Sequence, residues 1–410
     1  MAEYSFYKVY NYEFGFYPRH INPDIPYLFS MHNLSIENDN AIFKTKVKFL
    51  RIALDIKGYS ENYMEQKYYK YIVDHFQFEY DEHFQTEIEL KNHLIVTYPF
   101  SDWALGVKKY FNHMLSFNFI NDSVEKEMDQ IIKHLNMLPA SNLIEKEILD
   151  TLLEFGSSGF YGLYYESEEF DSLLPLKIIL DCLPEDTDFI YDLSAPYNWS
   201  IEDIDIKNAY DRVEKILVVV EGKQDKFSIE SFFKIIYPQF QHLYNIVSFD
   251  GNIPGGSSQT RHYFNLLTNA CVSNKVIALF DNDAAGHKEI MQLSKSTYQD
   301  KYKYISLPSD IFFENYPTLF PNDQVVEMNI NRKACSIELY YPTCLLKTKG
   351  KYYPIIWQGY DMLTKTHQGV IKDKKRINDK FYEYIEKGVF KECDLILSKK
   401  VLEYIFKVWS

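Results

Sequence analysis

The sequence predicts an α/β protein, with a parallel-sheet domain in the C-terminal half preceded by a mostly helical (α or α+β) N-terminal domain. Three observations predict it. Short apolar runs alternate with helix-length segments from about residue 212 onward. An acidic, turn-prone stretch comes just before them, and apolar residues earlier in the chain recur at helical spacing.

Residues 1–50 mix turns with aromatic-rich, strand-like pieces, Tyr4-Ser-Phe-Tyr-Lys-Val-Tyr and Ala41-Ile-Phe-Lys-Thr-Lys-Val. Residues 60–75, 102–115, 123–137 and 143–155 repeat Leu, Met, Ile and Phe at i, i+3 and i+4, which predicts helices. The stretch from Pro184 to Asp205 marks a domain boundary and ends an N-terminal domain at 1–205. Beyond it, Lys215-Ile-Leu-Val-Val-Val is an uninterrupted apolar run, as a strand buried on both faces requires. A helix from Asp225 to Tyr237 follows, stopped by Pro238. Leu243-Tyr-Asn-Ile-Val-Ser-Phe is the second strand; a Gly-rich turn at Asp250 and a helix over 258–269 come next. Lys275-Val-Ile-Ala-Leu-Phe, Asp281-Asn-Asp-Ala-Ala-Gly and a further helix form the third unit, and Tyr302-Lys-Tyr-Ile-Ser-Leu closes the set. This alternation predicts a doubly wound core at 212–310, followed by a basic extension at 311–410.

Composition narrows the function classes. Of 410 residues, 46% are hydrophobic and 17% aromatic, so general disorder is excluded. No apolar run reaches the roughly 18 residues a membrane span needs, and the first residues lack a signal-peptide pattern. Five scattered cysteines, none at C-x-x-C spacing, fit a reduced cytoplasmic chain without disulfide framework or zinc cluster. The net charge is −14, yet residues 331–380 hold eleven Lys/Arg against four Asp/Glu, a local balance of +7. An acidic chain with one basic segment can bind a polyanion along that segment alone, although a solvated basic face has the same composition.

In such a fold, ligands sit at the C-terminal ends of the strands. Glu221 follows the first strand directly and Asp225 lies four residues on; Asp281 and Asp283 follow the third strand. Four carboxylates at one sheet edge repel one another unless protonated or bound to a cation, and hard oxygen donors without His or Cys select Mg2+ or Mn2+. Either pair alone reads as a helix cap or a solvated turn. Both pairs, each directly after an apolar strand, point to metal-dependent phosphoryl chemistry.

These residues resemble the Toprim family of topoisomerases, bacterial primases, ribonuclease M5 and OLD nucleases. Glu221-Gly222-Lys223-Gln224-Asp225 is similar to its Glu-Gly-x-x-Asp motif; Asp281-Asn282-Asp283 with Ala284-Ala285-Gly286 is similar to its Asp-x-Asp motif. The resemblance covers about 212–310. It implies Glu221 as general acid/base or metal ligand, with Asp225, Asp281 and Asp283 as ligands of Mg2+ or Mn2+. It also implies a glycine loop near the metals, at Gly255 and Gly256. No cysteine pattern offers a primase zinc ribbon, and the rest of the chain is short for a topoisomerase, which leaves the nucleases. In those of the OLD type a further acid and a lysine follow: Ser336-Ile337-Glu338-Leu339-Tyr340 resembles the acid motif, and Lys372 is favoured over Lys374 and Lys375 as the lysine. Glu338 is thus expected as a catalytic residue and a further metal ligand. It sits among apolar residues, where an unpaired carboxylate is costly and a metal or cationic partner relieves it, although it also reads as a plain exposed strand acid. Lys374, Lys375 and Arg376 are basic candidates for nucleic-acid contact; Arg261 is one too, although a helix-surface position explains it equally.

The whole chain resembles the bacterial HEPN/Toprim-associated proteins. None of its six arginines begins the Arg-x4–6-His motif of active HEPN ribonucleases, so the N-terminal region is expected to be non-catalytic. The resemblance implies a cytoplasmic endonuclease acting on DNA or RNA, tRNA included, in antiphage defence. It leaves open a regulatory protein partner and a homo-oligomer. Two alternatives stand beside it: a non-catalytic, metal-dependent nucleic-acid-binding module, and a phosphotransferase of the haloacid-dehalogenase kind. The latter places its Asp-x-Asp first in the domain, whereas Glu221 precedes it here.

Overall fold

The computed structural model describes residues 4–10, 12–18, 24–37, 40–80, 86–97, 99–116, 171, 173–194, 206–249 and 255–410. The helices expected at 123–137 and 143–155, the end of the 184–205 boundary and part of the Gly-rich turn at 250 lie outside these residues. The chain divides into two compact units, Met1–Val213 with Trp409–Ser410, and Glu214–Val408. No described helix is long and apolar enough to cross a membrane.

The first unit carries more strand than its expected, mostly helical character. Strands β1 (Tyr4–Val9), β2 (Tyr12–Pro18), β3 (Leu34–Glu37), β4 (Asn40–Lys46) and β5 (Asp188–Asp192) form one antiparallel sheet in the order β2-β1-β5-β4-β3. Strand β5 shows why: Phe189 and Tyr191 are buried while Asp188, Ile190 and Asp192 are half-buried, a period of two. Tyr7 packs its ring on both. Helices α1 (Ile25–Leu28), α2 (Val47–Lys57), α3 (Glu61–Tyr80), α4 (Glu87–Thr97), α5 (Phe100–Ser116), α6 (Leu173–Asp181) and α7 (Ile206–Asp211) complete the described part. Arg51 on α2 donates to the carbonyls of Leu180 and Leu183, at 2.8 and 2.7 Å, at the C-terminal end of α6, where the Leu180 carbonyl also accepts the Leu183 N–H at 3.2 Å.

The second unit is mixed α/β around a parallel sheet. Strands β6 (Ile216–Val219), β7 (Tyr244–Val247), β8 (Val276–Phe280) and β10 (Tyr302–Ser306) pair in parallel in the order β10-β8-β6-β7. All five residues of β8 are buried, which explains why its sequence shows no alternation. Helices α8 (Lys223–Ile236), α9 (Ser257–Asn269) and α10 (Ala284–Leu293) follow β6, β7 and β8. Phe264 of α9 and Leu293 of α10 bury against Val219, Val276, Ala278 and Phe280.

The segment after β10 belongs to this same unit. Two-residue β9 (Asn282–Asp283) pairs antiparallel with β13 (Ala334–Cys335), which follows β11 (Tyr316–Leu319) and β12 (Val325–Met328). The hairpin β14 (Lys347–Thr348) and β15 (Lys351–Tyr352) leads to β16 (Ile355–Asp361) and β17 (Thr366–Ile371), which join a second sheet in the order β12-β11-β16-β17. Helices α11 (Lys374–Lys387) and α12 (Ile396–Phe406) end the unit. Phe406 of α12 meets the rings of Phe233, Tyr237, Phe240 and Tyr244.

Candidate metal and phosphoryl-transfer site

Parallel neighbours β6 and β8 end side by side, so the residues just beyond them are brought together. The Asp281 N–H donates to Glu221 Oε1 at 3.0 Å. Asp281 Oδ1 in turn accepts the N–H of Ile337 at 3.1 Å. Asp225, in the first turn of α8, shares a small cavity of about 10 Å³ with Glu221 and Asp281. That space is on the scale of one water molecule.

Asp283 keeps extended backbone (φ −128°, ψ −179°) in β9, but its carboxylate is engaged elsewhere than that of Asp281. It caps α10, with Oδ1 accepting from Gly286 N at 2.8 Å. Its Oδ2 accepts from Gln368 Nε2 at 2.6 Å, and Gln368 Oε1 takes the Ala285 N–H at 3.1 Å. Gln368 thus ties β17 to the start of α10, a role no spacing in the sequence announces.

Glu338 is not a solvated strand acid. It lies fully buried in the 3-10 turn Ile337–Tyr340. A buried carboxylate must be paired, and three partners do so. Ser336 Oγ donates to it at 2.7 Å, Asn378 Nδ2 at 3.3 Å, and Lys374 Nζ lies 3.0 Å away. Asn378 is itself fixed by Tyr341, whose hydroxyl lies 2.9 Å from Asn378 Oδ1 and whose ring stacks on Phe381 at 3.9 Å.

The lysine that faces the carboxylates is therefore Lys374, where the sequence favours Lys372. Strand β17 stops at Ile371, Lys372 is exposed there, and its backbone N–H goes to Pro354 O. Asp373 turns the chain in a left-handed conformation (φ 56°), and Lys374 opens α11 toward Glu338. Lys374, its side chain 44% exposed, shares that turn with the exposed Lys375 and Arg376, and its ion pair with Glu338 sets it apart. Arg261 is held in an ion pair with the buried Glu289 of α10, so its head group is engaged within the fold. Gly255 and Gly256 do approach the site: Gly256 N–H donates to Glu221 O at 2.8 Å, and a Cβ on Gly255 would stand 2.6 Å from the same oxygen.

The electrostatics follow from crowding. Burial, then the charges of Asp283 and Asp225, push the Glu221 carboxyl up to about 8 despite the Asp281 N–H bond. Burial and Glu338 push Asp225 up to about 7. Asp281 is pushed well above the carboxylate range by burial and then by Glu221, Asp225 and Asp283. Burial disfavours the Lys374 ammonium, but Glu338, Asp281 and Asp225 outweigh it and hold the lysine charged.

Each raised carboxyl binds its proton more tightly in the folded state than in the unfolded one. Its stabilising contribution is thus fully present below the unfolded pKa, about 4 to 4.5, and is lost as pH rises through about 7 and 8. The ion-free protein is expected to lose thermal stability between pH 5 and pH 8. A divalent ion at a hundred times its dissociation constant restores about 2.7 kcal/mol, a Tm rise of about 5–10 °C. The rise is expected to be larger at pH 8 than at pH 5.5, where protons compete for the same oxygens. Calorimetric scans at both pH values, with and without Mg2+, check this, and equal shifts would speak against it.

Among the described residues, no three His, Cys, Asp or Glu side chains already converge as a finished coordination shell. The hydrogen bonds explain the splay: Glu221 and Asp283 are drawn to backbone and amide N–H groups that a cation competes with. The donors themselves fit a hard divalent ion, being oxygens only, mutually repelling and poorly solvated. Comparison with family models, curated proteins and solved structures finds no match to this chain.

Proposed function

We propose that the unit Glu214–Val408 is a Mg2+- or Mn2+-dependent endonuclease of the Toprim kind, cleaving phosphodiester bonds of DNA or RNA. One observation carries the reading. The Asp281 main chain is hydrogen-bonded to the Glu221 carboxylate, so two acid-bearing strand ends meet at one sheet edge with Asp225 beside them. Glu221, Asp225, Asp281 and Asp283 would hold the ion, which when bound polarises a phosphoryl oxygen and makes water a better nucleophile. Glu221 would exchange a proton with the attacking water. Glu338 does not touch the reacting atoms in this reading: fully buried, it positions Lys374. The Lys374 ammonium steadies the charge that gathers on phosphate.

Incubation of the purified protein with plasmid, single-stranded DNA and tRNA in Mg2+ or Mn2+ tests the proposal. Cleavage is expected to depend on the ion and to vanish in Glu221→Gln. Lys374→Ala is expected to lower the rate about 10²-fold or more, while Lys372→Ala changes it little. The reverse ranking would restore the lysine favoured by sequence. A role in antiphage defence rests on the resemblance alone. It predicts toxicity in cells from the wild type but not from Glu221→Ala.

A second reading is a metal-dependent nucleic-acid-binding module without catalysis, in which the same carboxylates hold a structural ion. Ion-dependent binding without cleavage of any substrate would select it.

A further inference from the structure

The sheet β12-β11-β16-β17 carries a feature that the acidic site does not use. An open groove of about 600 Å³ lies against it, lined in part by Trp357, Tyr360, His367, Lys333, Lys365 and Asp323. Three of these residues are π systems that meet at their edges. The His367 ring lies 6.1 Å from Trp357 and 5.1 Å from Tyr360, at 61° and 71°. In a core such rings are closed off by further packing. Here Tyr360 is 51% exposed, and His367 is exposed as well.

We infer that this groove binds unpaired nucleobases of a single-stranded nucleic acid, stacking them on Trp357, Tyr360 and His367 while Lys333 and Lys365 hold the phosphates. The charge is complementary: two lysines line the groove against one aspartate, and both come from the segment whose local balance is +7 in a chain of −14. Aromatic faces beside cations stack bases of any identity, whereas bases inside a duplex offer no free face.

The position connects the groove to the carboxylates. Strand β17 alternates, so His367 faces the groove while its neighbour Gln368 bonds Asp283 Oδ2 at 2.6 Å on the other side. Lys333 bridges to Asp283 through its backbone, and its carbonyl accepts the Gly369 N–H at 3.0 Å. A Cβ on Gly369 would stand 3.1 Å from Trp357 and 2.9 Å from Ala334, so this stretch of β17 is held against both elements. The groove and the Asp283 carboxylate are thus linked through the one strand β17, which would bring a single bound nucleic-acid strand near both. The inference deepens the nuclease reading, on which it rests for the fate of the bound strand, by naming the substrate class as single-stranded.

The test is binding by the 410-residue chain in EDTA, so that it does not depend on catalysis. Fluorescein-labelled 15-mers of dT and of rU, and a 15-base-pair duplex, are titrated and followed by anisotropy, with polyglutamate as an anionic competitor. Single strands are expected to bind more tightly than duplex, and the dT and rU arms tell DNA from RNA. Tyr360→Ala and His367→Ala each weaken single-strand binding by about 5- to 150-fold, with unchanged circular dichroism. Lys365→Glu flattens the salt dependence. Equal affinity for duplex, no loss in Tyr360→Ala and His367→Ala, or displacement by polyglutamate at matched charge would overturn the inference. Failure of the nuclease reading looks different: binding in EDTA survives, and no ion brings cleavage.

Discussion

Asp281→Asn is expected to abolish Mg2+- or Mn2+-dependent cleavage, by about 10³-fold or more, while raising the melting temperature of the ion-free protein at pH 8. The two effects have one cause. Asp281 faces Glu221, Asp225 and Asp283 at a site that burial has stripped of water, which raises its carboxyl well above the usual range. At pH 8 the ion-free fold therefore bears the cost of holding its proton or burying its charge. An amide oxygen keeps the acceptor that Ile337 N–H needs, at 3.1 Å in the wild type, so the local structure persists. Removing one of several crowded carboxylates relieves its neighbours and removes a ligand at the same time. Ion titration, cleavage and calorimetry on one preparation check both halves. A variant that loses activity and stability together would mark Asp281 as a structural residue instead.

Gly286→Ala is expected to cost about 3 kcal/mol or more, a Tm loss of about 6–12 °C, and to remove the response to divalent ions. A Cβ at this position would stand 2.2 Å from the Asp281 carbonyl oxygen and 3.2 Å from the Phe280 Cβ. Neither atom can yield cheaply, because Phe280 is buried in the central strand and Asp281 is pinned between Glu221 and Ile337. The Gly286 N–H is also the donor that caps α10 through Asp283. Displacing it moves an acidic residue of the site, so stability and ion binding fall together. Chemical denaturation and Mn2+ titration of the variant measure the two losses. Gly255→Ala, 2.6 Å from Glu221 O, is expected to behave similarly from the other strand end.

The parallel core was legible because burial on both faces writes itself as unbroken apolar runs. The residues of β6 and β8 could be read from 215–220 and 275–280, and the acids that follow them lie at the strand ends as a consequence. Gln368 and Asn378 were not legible. Each acts through pairing across long sequence separation, with Asp283 and Glu338 respectively, and a lone amide carries no spacing signal. That Lys374 rather than the sequence-favoured Lys372 pairs with Glu338 has a local cause. Sequence does not mark where β17 stops, and the left-handed Asp373 shifts the inward-facing cation from 372 to 374. The apolar neighbours of Glu338 already called for a metal or cationic partner, and the structure supplies the cation as Lys374 at 3.0 Å. The reading of a plain exposed strand acid does not hold for a fully buried side chain. In the first unit, β1 and β4 echo the aromatic pieces noted at 4–10 and 41–47, but their partner β5 lies some 140 residues beyond β4. No local pattern predicts that pairing.

Diffraction from crystals soaked in Mn2+ at pH 8, with anomalous differences collected above the manganese edge, tests the central claim most directly. The account predicts a peak at the shared edge of β6 and β8, with carboxylate oxygens of Glu221 and Asp281 and of Asp225 or Asp283 within about 2.2 Å of it. The same soak of Asp281→Asn should leave that position empty. A well-ordered wild-type crystal with no peak there, or with its strongest peak away from these residues, would contradict it.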